Sequence, residues 1–86
     1  MNIKRMVAKE DFEDDKLALA KQAIPGTNMT AMQLAEIARV FSFEDTKLEF
    51  LKFAYPFCID QNKYYLVNDV FSFSTSKDEL RKYIGQ

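Results

Sequence analysis

Apolar residues recur at helical spacing through most of the chain, and each stripe opens and closes on recognisable punctuation. Leu17, Ala20 and Ile24 fall at i, i+3 and i+7, and Pro25-Gly26 predicts that their helix stops there, because proline disfavours a helical conformation in its predecessor. Thr30-Ala31-Met32-Gln33 has the form of a capping box, with Leu34, Ile37, Ala38 and Phe41 as the stripe behind it. Ser42-x-x-Asp45 predicts the cap of a third helix running to about Tyr55, where Pro56 ends it. Asp60 is the expected N-cap of a helix carrying Tyr64, Val67 and Phe71. Ser76-x-x-Glu79 opens a last helix with Leu80, Tyr83 and Ile84 as its core face, and a short helix over about residues 3–9 turns Ile3, Met6 and Val7 inward.

The third helix is apolar over a wide arc. At 100° per residue, Leu48, Phe53, Phe50, Ala54, Leu51 and Tyr55 spread over about 220°, leaving a narrow polar stripe of Lys52, Asp45 and Glu49. Lys47 falls inside the arc but in the first turn, where its charge can reach past the helix end. Such a helix packs on several sides, so it is placed at the centre of the domain, flanked by the second-helix segments.

These elements repeat. Residues 12–25, FEDDKLALAKQAIP, align with residues 43–56, FEDTKLEFLKFAYP, at an offset of 31, with eight of fourteen positions identical. Val40-Phe41-Ser42-Phe43 recurs as Val70-Phe71-Ser72-Phe73 at an offset of 30, and a partial third copy begins at Phe73-Ser74-Thr75-Ser76-Lys77. The expected architecture is all-α: one domain over residues 1–86, a compact bundle of about five to six helices. It is built from two and a half tandem helical hairpins, with units at about 12–42 and 43–72 and a partial unit at 73–86. With so few copies, a common core is expected rather than an extended superhelix.

The wording of the second unit is distinctive. Phe41-Ser42-Phe43-Glu44, Lys47-Leu48-Glu49-Phe50, Lys52-Phe53-Ala54-Tyr55-Pro56, Asp60, Asn62-Lys63-Tyr64, Val67 to Phe73 and Ser76-x-x-Glu79-Leu80 occur in order, with Phe12-x-x-Asp15-Lys16-Leu17 and Ala20-Lys21-Gln22 upstream. Together they resemble the family catalogued as domain of unknown function 4476 over nearly the whole chain. The resemblance implies a domain found in bacterial and some eukaryotic proteins, often as part of a longer chain, without an established catalytic activity. It carries over no functional residue.

Composition narrows the chemistry. Hydrophobic residues at 48% and charged residues at 29% match a chain that packs a core. Histidine is absent, and Cys58 is the single cysteine, so neither an internal disulfide nor a cysteine-based zinc site can be assembled from this chain. One cysteine does not decide the compartment. A net charge of −1 and a pI near 5.3 argue against a phosphate-tracking surface, and no nucleic-acid partner is expected. No apolar run reaches the length of a signal-peptide core or a membrane span.

Candidate sites are few. Glu10-Asp11-Phe12-Glu13-Asp14-Asp15 has the oxygens for a hard cation, but acids at a helix start complement its dipole, and that reading is taken. Asp60-x-Asn62 resembles the start of a calcium loop, yet Tyr65 and Phe71 stand where its glycine and bidentate glutamate belong. Cys58 lies among apolar residues and reads as a small hydrophobe. Ser74-x-x-Lys77 matches a nucleophile motif without its companions, and Ser42, Ser72, Ser74 and Ser76 read as caps and turns. Gly26 and Gly85, the only glycines, do not make a phosphate loop. No catalytic, cofactor-binding or metal-binding residue is therefore assigned.

Ten of twelve aromatics lie between Phe41 and Phe73, and most are expected in the core. Tyr64 and Tyr65 are neighbours pointing about 100° apart, so the pair is the candidate partner contact, Tyr65 being the one expected outside. The expected function is a non-enzymatic domain binding another protein through a groove or aromatic surface. The competing reading is a small-molecule or lipid-binding domain with a Phe-rich pocket.

Overall fold

The structure is a computed structural model and describes residues 2–85. Five α-helices are present: α1 Ile3–Ala8, α2 Glu13–Ala23, α3 Ala31–Ala38, α4 Glu44–Ala54 and α5 Ser74–Tyr83. Between α4 and α5 lie a 3-10 turn, Tyr55–Phe57, and a longer 3-10 segment, Gln61–Val70, kinked at Lys63. No strand occurs among the described residues.

Local chemistry explains most of the boundaries. The Asn2 side chain caps α1 at the Arg5 N–H, and the Thr30/Gln33 capping box starts α3 reciprocally, at 3.1 and 2.9 Å. Helix α2 stops before Pro25, and Gly26 at φ +85° lets the chain reverse. Pro56 ends α4 by diverting it into the 3-10 turn.

Two expected caps are placed differently. The N-cap of α4 is Phe43 rather than Ser42, and that of α5 is Phe73, three residues before Ser76. Neither phenylalanine side chain can accept a hydrogen bond, and carboxylates from the preceding helix instead hold the backbone N–H groups at and just before these N-caps. Asp60 is the N-cap residue of the 3-10 segment, as expected, but its side chain makes no cap bond there. Its carboxylate accepts the Ala31 N–H at 2.7 Å, so it caps α3 from a distant part of the chain.

Helices α2, α4 and α5 form one layer, and α1, α3 and the 3-10 segment form the other. Helix α4 is central as expected, but its flanks are α2 and α5, with α3 beneath it and the 3-10 segment packed chiefly on α3. Ion pairs Lys21–Glu49 at 2.6 Å and Lys52–Glu79 at 2.7 Å tie α2 to α4 and α4 to α5. The radius of gyration is 11.7 Å, against about 12 Å expected for a compact chain of this length.

Ile24, Leu34, Phe50, Leu51, Val67 and Leu80 are among the fully buried residues. Phe41, Phe50, Tyr64 and Phe71 are buried and Phe53, Tyr55 and Phe57 pack partly buried against them, so most aromatics between Phe41 and Phe73 belong to the core as expected, while Phe43, Tyr65 and Phe73 are exposed. Tyr83, placed inward from its spacing, is 62% exposed and lies under the Lys52 ammonium, 5.2 Å from the ring centre.

Tyr64 is 2% exposed; its hydroxyl donates to the Leu51 carbonyl at 2.5 Å, and its ring meets Tyr55 edge-on at 4.9 Å. Burial pushes the phenol up, out of the physiological range. Tyr64→Phe keeps the packing and loses one hydrogen bond, so a loss of about 1 kcal/mol in urea unfolding is expected.

Candidate interaction surface

The N-termini of α2, α4 and α5 lie side by side along one edge, joined by two matching contacts. Glu13, the first residue of α2, accepts the backbone N–H groups of Ser42 and Phe43 at 2.9 and 3.0 Å. Glu44, the first residue of α4, accepts those of Ser72 and Phe73 at 2.9 and 3.0 Å. Lys16 donates to the Val40 carbonyl at 3.4 Å, and Lys47 to that of Val70 at 3.2 Å. The hydroxyls of Thr46 and Ser76 are also directed at Glu13 and Glu44 respectively, and Ser76 is buried.

These contacts set the acidity of both carboxylates. Burial works to raise the pKa of Glu13, but the N–H groups of Phe43 and Ser42, the Thr46 hydroxyl and the Lys16 charge outweigh it and hold the group below its ordinary value. Burial likewise opposes, and Phe73, Ser76, Ser72 and Lys47 outweigh it, for Glu44, whose pKa is also lowered.

On this edge stand three phenylalanines. Phe12, Phe43 and Phe73 are the N-cap residues of α2, α4 and α5, with φ/ψ of −112/143°, −109/142° and −112/137°. The three share one backbone conformation and are 71%, 64% and 61% exposed. Packed helix axes lie about 8–10 Å apart, which sets the scale of the spacing between successive N-cap positions. The signal was in the sequence, since each ring opens one copy of the repeated segment, but inward packing was the default assumption for so large a side chain.

The sequence-predicted pair is split. Tyr64 lies in the core, whereas Tyr65 is 63% exposed beside a groove between the 3-10 segment and α5, which Lys77, Leu80 and Arg81 also line. A wider depression of about 500 Å³ opens between α1 and α3 over Ile3, Met29 and Ile37, with the Lys4–Glu36 ion pair at its rim.

Groups weighed for chemistry are occupied by structural contacts. Cys58 is 7% exposed, its thiol 3.2 Å from the Asp60 carboxylate, and burial pushes it up to about 11. Of the acidic run, Glu13 is the clamp described above, while Asp11, Asp14 and Asp15 are exposed. Among the described residues no group of three or more acids and cysteines is placed to hold a metal ion, and no helix is long and apolar enough to cross a membrane.

Fold and surface together define a small all-helical, two-layer domain with an aromatic edge. Residues 1–84 match the family described as domain of unknown function (DUF4476), and the chain belongs to that family. No curated protein and no solved structure matches it.

Proposed function

We propose that this chain is a non-enzymatic protein-interaction module, a capped stack of helical-hairpin units presenting its aromatic edge to a partner. The row of Phe12, Phe43 and Phe73 carries the reading. Serine, threonine, aspartate or asparagine is the preferred N-cap, so the core does not require a ring at these positions. Each ring is mostly in water, and covering it would return about 1–2 kcal/mol.

The stack is supported by the Glu13/Lys16 and Glu44/Lys47 contacts, which recur at the offset of the sequence repeat. The outer positions of α5 are Lys77, Asp78, Arg81 and Lys82, where α4 has Lys47, Leu48, Leu51 and Lys52. A polar outer face is how stacked repeats end. The non-enzymatic part rests on the absence of histidine, the raised and buried Cys58 thiol, and a Ser76 hydroxyl committed to Glu44. A Phe-lined ligand pocket has less support, because no phenylalanine lines the α1/α3 depression or the Tyr65 groove.

Immobilised wild-type domain, Phe43→Ser and Tyr65→Ala are to be compared in capture from the source lysate. A partner retained by wild type and Tyr65→Ala but lost with Phe43→Ser is the expected result. Capture indifferent to Phe43→Ser, or a turnover lost on changing one polar residue, would sink the reading.

A further inference from the structure

The aromatic edge is not electrically neutral. Glu13 and Lys16 face one another's surroundings, as do Glu44 and Lys47, so each pair largely cancels. What remains exposed along the edge is Asp11, Asp14, Asp15, Asp45 and Asp69, set against Lys9, Arg39 and the half-buried Lys77. The excess is negative and densest around Phe12, where Asp11, Asp14 and Asp15 lie within three residues along the chain. The cations Lys21, Lys52, Arg81 and Lys82 sit in the last turns of α2, α4 and α5, at the opposite end of that layer.

Spacing adds a second constraint. A polyproline II segment has three residues per turn and rises about 3.1 Å per residue, so every third side chain returns to the same face about 9 Å further on, close to the spacing of adjacent packed helices. An apolar side chain at every third position therefore meets Phe12, Phe43 and Phe73 in turn, and the residues between them point to either side of the ring row, towards the exposed carboxylates. A segment with lysine or arginine at those intervening positions satisfies both features.

Resting on the proposed interaction role of this edge, we infer that its ligand is a cationic peptide segment in the polyproline II conformation with an apolar residue at every third position. Its basic residues are concentrated around Phe12. Anionic surfaces are disfavoured by the same exposed aspartates.

The test uses a fluorescent peptide, the tripeptide Lys-Leu-Lys repeated three times, titrated with the whole domain by anisotropy. Controls are the same composition with the leucines adjacent, the same spacing with glutamine for lysine, and vesicles of zwitterionic or anionic lipid. Phe43→Ser places a preferred cap residue at an exposed site, so the fold is retained. Binding of the spaced cationic peptide is expected to weaken at least tenfold in Phe43→Ser. In Asp14→Asn/Asp15→Asn it is expected to weaken about threefold or more, with a flatter salt dependence. If the glutamine peptide binds as well as the lysine one and Phe43→Ser still abolishes binding, the cationic inference is overturned while the aromatic edge stands. Equal binding of the adjacent-leucine peptide overturns the spacing. Binding to vesicles with no peptide binding overturns the peptide ligand, and no binding to any probe, together with lysate capture indifferent to Phe43→Ser, overturns both readings.

Discussion

Phe50→Ala is expected to lower the free energy of unfolding by about 3–5 kcal/mol. Phe50 is fully buried on the central helix α4 and stacks obliquely on Phe41, ring centres 5.5 Å apart. Because α4 touches α2, α3 and α5, a void at Phe50 cannot be filled by a single neighbour moving inward. A domain of this size has about 4–13 kcal/mol of stability in total, so the variant should lie close to its unfolding midpoint in water. Urea unfolding followed by circular dichroism measures the loss, and Phe50→Leu, which keeps most of the volume, should cost about 1.5 kcal/mol or less. A loss below about 1 kcal/mol for the alanine variant would mean that α4 is not the centre of the core.

That centrality was legible from one arc of residues, since Leu48, Phe50, Leu51 and Ala54 on α4 are all buried as their angles require. Pro25, Pro56 and the Thr30/Gln33 box also act as their chemistry dictates. The misplaced caps share a physical cause. A local capping rule looks for an oxygen within a few residues of the helix start, but the chain entering α4 and α5 is held at Ser42/Phe43 and Ser72/Phe73 by Glu13 and Glu44, about thirty residues upstream, and the first N–H of α3 by Asp60, 29 residues downstream. The 3-10 form of Gln61–Val70 was not legible, because Tyr64, Val67 and Val70 are the buried residues and their three-residue spacing fits either helix type.

The aromatic edge was half legible for a related reason. Glu13 and Glu44 hold the N–H groups of the residues entering α4 and α5, Ser42/Phe43 and Ser72/Phe73, and the N-cap phenylalanines themselves make no side-chain cap bond. The repeated Phe-Glu pair thus divides its work, the glutamate holding two helices in register and the ring facing outward. Exposed ion pairs such as Lys21–Glu49 and Lys52–Glu79 mark the same register and contribute little on their own.

The second large effect is expected where that register is held. Each clamp carboxylate accepts two backbone N–H groups, and losing hydrogen bonds to a charged group costs about 1.5–3 kcal/mol. Glu13→Ala and Glu44→Ala act on different helix pairs, so their losses should nearly add, to about 3–6 kcal/mol in the double variant. The pH dependence gives an independent reading. Both pKa values are lowered from 4.5 in the folded chain, so the unfolded chain binds protons first on acidification. The contribution is therefore fully present above the unfolded value near 4.5 and is lost as pH falls through the folded values beneath it. Wild-type stability should decline on acidification through this window, and Glu13→Gln/Glu44→Gln should decline less steeply. Residual slope is expected from Asp60, lowered by the Ala31 N–H and the Cys58 thiol, and from Glu36, lowered by Lys4. Equal acid slopes in the double glutamine variant and the wild type would show that the two carboxylates do not hold the helix starts in solution.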